Sequence, residues 1–159
     1  MNQIDIIMNN LIFRKAQKTE MKDIIQLLIA VFHDEQQIPV DGIPLSVQNE
    51  PQYWVVEMNH SIIGTVAAWK ENNQIHWGRY AIKKNYRGLH IGTRLAALSF
   101  ADLFAQGIEC IYMDARETTV KIVCEMGGKI AGETAPFFKG TVTPIILNKS
   151  EFEKYELPA

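Results

Sequence analysis

The sequence predicts a mixed α/β fold (α+β mixed), and this prediction rests on chain length and on two kinds of apolar spacing. The chain has 159 residues, enough to remove roughly 70% of its unfolded surface from water without disulfides or a structural metal. Some segments repeat apolar residues at helical spacing, whereas others are short apolar runs typical of strands. No internal repeat and no compositionally biased stretch interrupts this alternation. We therefore expect a single domain over residues 1–159.

The first predicted elements are a strand at residues 11–16 and a helix that follows it. Thr19 is the expected N-cap, and Glu20 and Asp23 place negative charge in the first turn, where it suits the helix dipole. The helix has one apolar face, made by Met21, Ile24, Ile25, Leu28, Val31 and Phe32. The loop that comes next contains the turn-forming residues Pro39, Gly42, Pro44 and Pro51.

Three strand-like runs then predict an antiparallel meander, because the turn pairs Asn59-His60 and Asn72-Asn73 separate them. Gly107 is expected to end the helix that follows the meander. The predicted elements of this part are strands at 53–58, 61–69 and 74–82, a helix at 93–105, a strand at 108–114, a helix at 118–125 and a strand at 142–147. This order indicates a βαβ crossover after the meander.

Composition excludes several classes of protein. Sixteen basic and eighteen acidic residues give a net charge of −2 without a basic block, so nucleic acid is not expected as a partner. The apolar runs are far shorter than a membrane span of about 20 residues, and residues 1–10 lack the basic start of a signal peptide. Cys110 and Cys124 show no CxxC spacing and are typical of free thiols in a reducing compartment. We expect a cytoplasmic protein that has no membrane partner.

Residues 82–93, IKKNYRGLHIGT, lie between a predicted strand and a predicted helix and contain the most informative motif. Such a turn directs backbone N–H groups outward at the positive end of a helix dipole, which favours a phosphate or pyrophosphate. Gly88 and Gly92 would let the backbone approach the anion closely, and Arg87 could add charge. Neither GxxxxGK[ST] nor GxGxxG is present. On local sequence alone, a plain glycine-bearing loop explains the segment equally well.

The segment resembles the acetyl-CoA loop of the GNAT acetyltransferases, Arg/Gln-x-x-Gly-x-Gly/Ala after a strand that ends in Val or Ile. Arg87, Gly92 and Ile82 match this pattern, while His90 stands at the position of the middle glycine. Four further segments match the family in chain order, three of them its ElaA-like branch and one, IIGT, the third strand of the family. They are VFHDEQQIP at 31–39, IIGT at 62–65, WGRYAI at 77–82 and ARET at 115–118.

The resemblance implies a central, mostly antiparallel sheet with a splayed parallel pair of strands and helices on both faces. It implies transfer of an acetyl group from acetyl-CoA to an amine, without a metal; a homodimer is also compatible with it. The pantetheine arm would enter the opening between the two parallel strands, and backbone near Ile82 would polarise the thioester carbonyl. The implied cofactor-binding residues are Ala81, Ile82, Lys83, Arg87, Gly88, Leu89, His90, Ile91, Gly92 and Thr93.

Two residues depart from the family pattern. Val123 occupies the position of the tyrosine that serves as acid beside the CoA sulfur, and Thr143 occupies that of a histidine in the ElaA-like branch. Tyr112 and Cys124 are candidate replacements for the acid, although both residue types are more often part of a core.

His76 and Glu35 are the candidate bases for removing the ammonium proton. Strand periodicity puts His76 on the same side as Ile82, unless a β-bulge intervenes, and an imidazole can take up a proton near neutral pH. Glu35 ends the first helix, in the segment that should border the acceptor. The alternatives are a strand histidine without a catalytic role and a solvated charge at a helix end. His33 lacks the HExxH pattern or a second ligand, so no metal site is expected.

We therefore expect an acetyl-CoA-dependent N-acetyltransferase that acts by direct transfer on the amine of a small molecule or peptide. A catalytically silent CoA-binding sensor or interaction module is the alternative, because Val123 and Thr143 stand where polar groups are expected. A nucleotide-binding α/β protein outside the GNAT family, which would bind ATP or NAD, is a third. The loop at 40–51 carries little charge and leaves the acceptor open.

Overall fold

One mixed sheet organises the chain, with strand order β1-β2-β3-β4-β5-β8-β6 and with β7 also paired to β8. The computed structural model describes residues 2–43 and 47–157, so that Pro44 of the predicted loop lies outside the described residues. The strands are β1 Leu11–Lys15, β2 Gln52–Met58, β3 Ser61–Glu71, β4 Gln74–Ile82, β5 Cys110–Arg116, β6 Lys129–Ile130, β7 Ala135–Phe137 and β8 Gly140–Asn148. The meander and the β4-to-β5 crossover confirm the predicted order of elements.

Helices lie on both faces of this sheet, as predicted. They are α1 Gln3–Asn9, α2 Met21–Leu28, α3 Ile91–Ala105, α4 Glu117–Glu125 and α5 Lys149–Phe152. One buried cluster, which includes Trp54, Trp77 and Phe100, packs the sheet against α3 and α4. A second cluster, which includes Tyr53 and Val55, packs the opposite face against α2. None of the helices in the described ranges has the length and apolarity needed to cross a bilayer.

The tryptophans of the larger cluster satisfy their polar ends inside it. Trp77 donates its Nε1–H to Ser99 Oγ at 2.9 Å, and Trp54 donates to Asp102 Oδ2 at 2.8 Å. A buried indole N–H without an acceptor would lower the stability of the folded protein. Because both acceptors lie on α3, these hydrogen bonds favour one position of that helix on the sheet. Helix α3 is the next helix after β4, and its packing therefore positions the loop between them.

The parallel pair β4 and β5 separates soon after it forms. The two strands pair only at Ile75 with Ile111 and at His76 with Tyr112. Every other strand pairing among the described residues is antiparallel. Beyond His76 the strands diverge toward their carboxyl ends, which confirms the expected splayed pair and leaves an opening in the sheet.

A β-bulge interrupts β4 just where its side chains turn toward that opening. The register with β3 shifts between Thr65 and Ala67, and Arg79 adopts φ +53°. His76 therefore faces the α2 side, where it stacks with Trp69, whereas Ile82 packs on the α3 side. The expectation that His76 and Ile82 share one side is wrong, because the extra residue reverses the alternation.

Several element boundaries differ from the prediction. Helix α2 begins at Met21 with Glu20 as its N-cap, not Thr19, because residues 18–20 form a 3₁₀ turn closed by Gln17 N–H donating to Glu20 Oε1 at 2.8 Å. The helix then continues as π-helical turns over Ile29–Glu35. Helix α1 and the short strands β6 and β7 were not predicted, because an exposed helix and runs of two or three residues carry little periodicity.

The predicted turns are confirmed. All four residues of the two asparagine-containing pairs have positive φ, which suits tight hairpins: Asn59, His60, Asn72 and Asn73. Gly107 follows α3 with φ +94°, a conformation that ends a helix at little cost only for glycine. Cys110 and Cys124 are free thiols, as expected.

Candidate active site

The loop between β4 and α3 presents the amino end of a 15-residue helix. The Arg94 N–H donates to His90 C=O at 3.2 Å and begins the helical ladder. The amides of Ile91, Gly92 and Thr93 precede this bond, so they point out of the helix end together with its positive dipole. This geometry fits a phosphate or pyrophosphate held by backbone groups.

Two residues of the loop adopt left-handed backbone conformations. Gly88 has φ +81°, and His90, at the position of the usual middle glycine, has φ +60° and ψ +17°. A side chain in this region costs roughly 1–2 kcal/mol, although histidine tolerates it better than branched residues. The chain thus keeps the backbone path of the glycine-rich loop without that glycine.

Gly92 is required by its contact with β4. A Cβ built at Gly92 would overlap the hydroxyl of Tyr80, which is buried and has no hydrogen-bond partner in the described parts of the chain. Burial raises the pKa of Tyr80 well above its usual value, so this hydroxyl stays protonated. The first turn of α3 can therefore lie directly against β4 only because Gly92 has no side chain.

The Arg87 guanidinium is held by hydrogen bonds to other groups of the protein. It donates from Nη1 and Nη2 to both carboxylate oxygens of Glu35, each at 2.8 Å, and from Nε to Ile82 C=O at 2.9 Å. The hydrogen bonds from Arg87 lower the pKa of Glu35. Glu35 is consequently ionised at neutral pH and engaged at both oxygens, so the Arg87 guanidinium already has a counter-charge within the protein.

The Ile82 amide faces the opening in the sheet. Lys83 N–H donates to Ile63 C=O of β3 at 2.8 Å. Because successive amides of a strand point to alternate sides, the Ile82 N–H points away from β3, toward the diverging β5. A donor in this direction could stabilise negative charge on a carbonyl oxygen placed between the strands.

A cleft of about 470 Å³ occupies the space where β4 and β5 diverge. Its walls include Trp77 and Gly78 of β4, Met113 and Ala115 of β5, and Thr119 of α4. These residues belong to both faces of the sheet, so the cleft passes through the sheet between the two strands. Its volume lies within the range of small-molecule sites, about 300–1,000 Å³.

Two of the predicted catalytic residues, His76 and Tyr112, lie side by side at the closed end of the divergence. Their ring centroids are 6.0 Å apart, and Trp69 stacks on the other side of the imidazole at 6.1 Å. The buried Nε2 of His76 has no hydrogen-bond partner in the described residues. A hydrogen bond with Cys110 raises the pKa of Tyr112, whose hydroxyl is therefore protonated near neutral pH.

The other predicted catalytic residues lie elsewhere. Cys124 packs against the cluster on the α3 side, across the sheet from His76, and Glu35 is paired with Arg87. Val123 is fully buried at the tyrosine position, and Thr143 is buried with its hydroxyl 2.7 Å from that of Thr134. The structure brings His76 and Tyr112 together but leaves Glu35 and Cys124 apart from them.

Four charged residues that line the cleft were not selected from the sequence: Glu71, Arg79, Asp114 and Arg116. Burial lowers the pKa of each arginine. Arg79 and Asp114 lie inside strands that are mostly apolar or aromatic, and Glu71 and Arg116 end β3 and β5. That placement is the sequence signal that could have identified them, since charges in the interior of a strand commonly serve a site.

Comparisons with solved structures place this fold among acetyltransferases. Escherichia coli ElaA has a TM-score of 0.71 at 16% identity, with 85% of this chain and 97% of that chain covered. An acetyltransferase of the GNAT family from Streptococcus pneumoniae has a TM-score of 0.71 at 16% identity, covering 87% and 98%. An acyl-CoA N-acyltransferase from Pseudomonas aeruginosa has a TM-score of 0.70 at 15% identity, covering 86% and 97%. At these identities the likeness shows the fold.

The sequence comparison identifies the family directly. No curated protein sequence matches the chain significantly. The family model described as "Acetyltransferase (GNAT) family" matches residues 19–126, more than half of the chain. The match includes α2, the splayed strands and the β4–α3 loop. The chain therefore belongs to the GNAT family of acetyltransferases and is an acyltransferase.

Proposed function

We propose that the protein transfers an acetyl group directly from acetyl-CoA to the amine of a small molecule or peptide. The observation that carries this proposal is the divergence of β4 and β5 after His76 and Tyr112, beside the free amino end of α3. In direct transfer the amine nitrogen forms a bond to the acetyl carbon, and the carbon–sulfur bond breaks. The amine gives up a proton, and the thiolate takes one up.

Backbone groups would hold the cofactor. The pyrophosphate would bind the amides between Gly88 and Thr93, and the pantetheine arm would lie along 81–83 in the opening between the strands. The direction of the Ile82 N–H, away from β3, supports a role for it as donor to the developing oxyanion. Such a hydrogen bond can lower a barrier by about 3 kcal/mol. The near-neutral charge of the chain is compatible with this arrangement, because amides and the helix dipole carry the interaction.

His76 is the proposed general base and Tyr112 the proposed acid. The support for this pair is their adjacency, the unpartnered Nε2 of His76 in the described chain, and a Tyr112 hydroxyl that stays protonated near neutral pH. For Glu35 we propose a positioning role, since both of its oxygens accept hydrogen bonds from Arg87. Cys124 has no role in this scheme because it packs on the opposite side of the sheet.

Binding and turnover test the proposal separately. Acetyl-CoA at 100 times its dissociation constant should add about 2.7 kcal/mol to the free energy of unfolding, measured by thermal shift and confirmed by calorimetry. A Gly92→Val variant should lose this shift because its side chain would displace Tyr80, while an exposed Lys18→Gln variant should keep it. Absence of any shift with the unmodified protein would overturn the proposal.

Thiol release from acetyl-CoA across amines, polyamines and peptides then measures transfer. We expect turnover above the rate of hydrolysis with at least one amine. Binding without turnover would favour the silent CoA-binding module, for which the buried Val123 and Thr143 are the supporting observations.

A further inference from the structure

We propose that the acceptor is a small zwitterion, a molecule that carries both the reacting amine and a carboxylate or phosphate group. This inference rests on the proposed function and names its substrate class. It is drawn from the four charged residues of the cleft, Glu71, Arg79, Asp114 and Arg116.

These charges of both signs share one cleft without forming an ion pair in the described parts of the chain. Two arginines outside the cleft are paired with acids. Arg14 contacts two glutamates at 2.6 and 2.8 Å, and Arg87 contacts Glu35 at 2.8 Å. The two arginines of the cleft are partly buried, and such charges are costly unless a counter-charge is supplied. The anionic end of a ligand would supply it, while the two carboxylates of the cleft, which are exposed, could hold an ammonium end.

The two arginines are anchored so that donors stay available. Arg79 donates from Nε to Ile43 C=O at 3.0 Å and from Nη2 to Gly42 C=O at 3.2 Å, with its guanidinium 5.3 Å from the Trp69 ring centroid. Arg116 donates from Nη1 to Phe137 C=O at 2.9 Å. A guanidinium has five N–H donors, so carbonyl contacts of this number orient each group and leave donors for an oxyanion.

The carboxylate of Asp114 lies where an attacking amine is needed. The parallel register would place Asp114 of β5 opposite Gly78 of β4, just beyond the last pairing, at the point where the strands diverge. Asp114 is exposed, and its carboxylate could hold the ammonium beside the opening. Arg79 and Arg116 then lie at the same cleft to receive the anionic end.

The volume of the cleft favours a small acceptor. About 470 Å³ must hold the acetyl end of the cofactor as well as the acceptor. This space suits a compact amino acid or amino phosphate. An internal lysine of a protein chain would bring an ammonium without the anionic group.

Matched pairs of acceptors test the inference, with thiol release as the readout. An α-amino acid is compared with its amide, and phosphoethanolamine with ethanolamine. We expect kcat/KM to be at least 10-fold higher for the zwitterion of one pair, and the two pairs distinguish carboxylate from phosphate. Equal rates within both pairs would overturn the inference while leaving the acetyltransferase activity established.

Variants test the same site by binding as well as by rate. Arg116→Gln should raise KM for the preferred zwitterion at least 10-fold and leave KM for the analogue without the anionic group unchanged, whereas Lys18→Gln, which removes a charge outside the cleft, should change neither. In calorimetry on the complex with free CoA, the zwitterion should bind at least 10-fold tighter than the analogue without the anionic group, and Arg116→Gln should abolish that difference. Because this readout needs no turnover, it decides the inference even if transfer fails; equal binding of both ligands contradicts it.

Discussion

His90 shows how one residue adapts a family loop to a different side chain. It adopts φ +60° directly before α3, where the GNAT loop usually has a glycine. The conformation is needed to direct the following amides out of the helix end, so its strain belongs to the proposed anion site. Histidine is one of the few side chains that enters this region without a large penalty.

The effect of a substitution at His90 on stability should therefore depend on how well the new residue adopts a left-handed backbone conformation, and not on its side-chain chemistry. His90→Gly is expected to keep the free energy of unfolding within about 1 kcal/mol of the parent protein, and His90→Val to lower it by about 1–2 kcal/mol. Urea denaturation measures both, and acetyl-CoA calorimetry should show weaker binding only for His90→Val. Equal stability of the two variants would contradict the strain argument.

Substitutions at His76 and at Tyr112 should lower kcat to different extents. Removing a general base costs about 10²–10⁴-fold, so His76→Ala should lower kcat by at least 100-fold near neutral pH and flatten the acid side of the pH–rate profile. Tyr112→Phe should lower kcat less, because a CoA thiolate leaves without a dedicated acid. Steady-state kinetics with the preferred acceptor measures both variants. A pH profile that is unchanged in His76→Ala would exclude His76 as the base.

At the scale of elements, the Glu35–Arg87 pair joins the end of the π-helical turns to the β4–α3 loop. The two side chains are 34% and 41% exposed, so solvent screens the pair and its contribution to stability is below about 1 kcal/mol. The bidentate geometry nevertheless fixes the position of Arg87, which also holds the last carbonyl of β4. The pair thus aligns two elements that border the proposed site.

A positioning role for Glu35 makes a prediction that a catalytic role does not. The pKa of Glu35 is lowered by Arg87, so its charge is lost only as pH falls below the ordinary range of a carboxyl group, outside the neutral region. Glu35→Gln should raise KM for acetyl-CoA about 2- to 5-fold, as a lost interaction below about 1 kcal/mol allows. The pH–rate profile should keep its acid limb, and Glu35→Asp should recover part of the loss. Disappearance of that limb in Glu35→Gln would make Glu35 the base.

At the scale of the whole molecule, Arg14 joins two separate parts of the chain at the edge of the sheet. It donates to both oxygens of Glu20, at 2.8 and 2.6 Å, and to Glu57 Oε1 at 2.8 Å. The hydrogen bonds from Arg14 lower the pKa of Glu20 from 4.5 to about 2. The cluster therefore ties the turn before α2 to β1 and β2 through charged contacts.

The lowered pKa of Glu20 predicts how the free energy of unfolding depends on pH. Because the folded-state pKa of Glu20 is depressed, its contribution is fully present above pH 4.5 and is lost as pH falls toward 2. Solvent screening reduces that contribution to about 1 kcal/mol. Glu20→Gln should destabilise the protein by this amount at pH 7 and show a shallower loss of stability between pH 5 and pH 2. Urea titrations at both ends of that range measure it, and identical slopes for both proteins would contradict the prediction.

Much of the fold was predictable because local signals set it. The bounds of β4 match the prediction, and the glycine and asparagine turns lie where their positive φ values require them. The site was less predictable for a physical reason. A single bulge at Arg79 reverses which side chains face the cleft, and neither propensity nor spacing reports where one strand gains a residue against its neighbour.

By itself, the sequence determined the order of the main strands and helices, the turns, the position of the loop proposed to bind an anion and membership of the GNAT family, since each depends on residues close together in the chain or on ordered motifs. Tertiary structure decided which charges pair. Glu35 binds Arg87 across 52 positions of sequence, while Arg79, Asp114 and Arg116 meet in one cleft without pairing in the described chain. Coulomb energy and desolvation depend on distance in space, so the roles of these residues followed only from the folded chain.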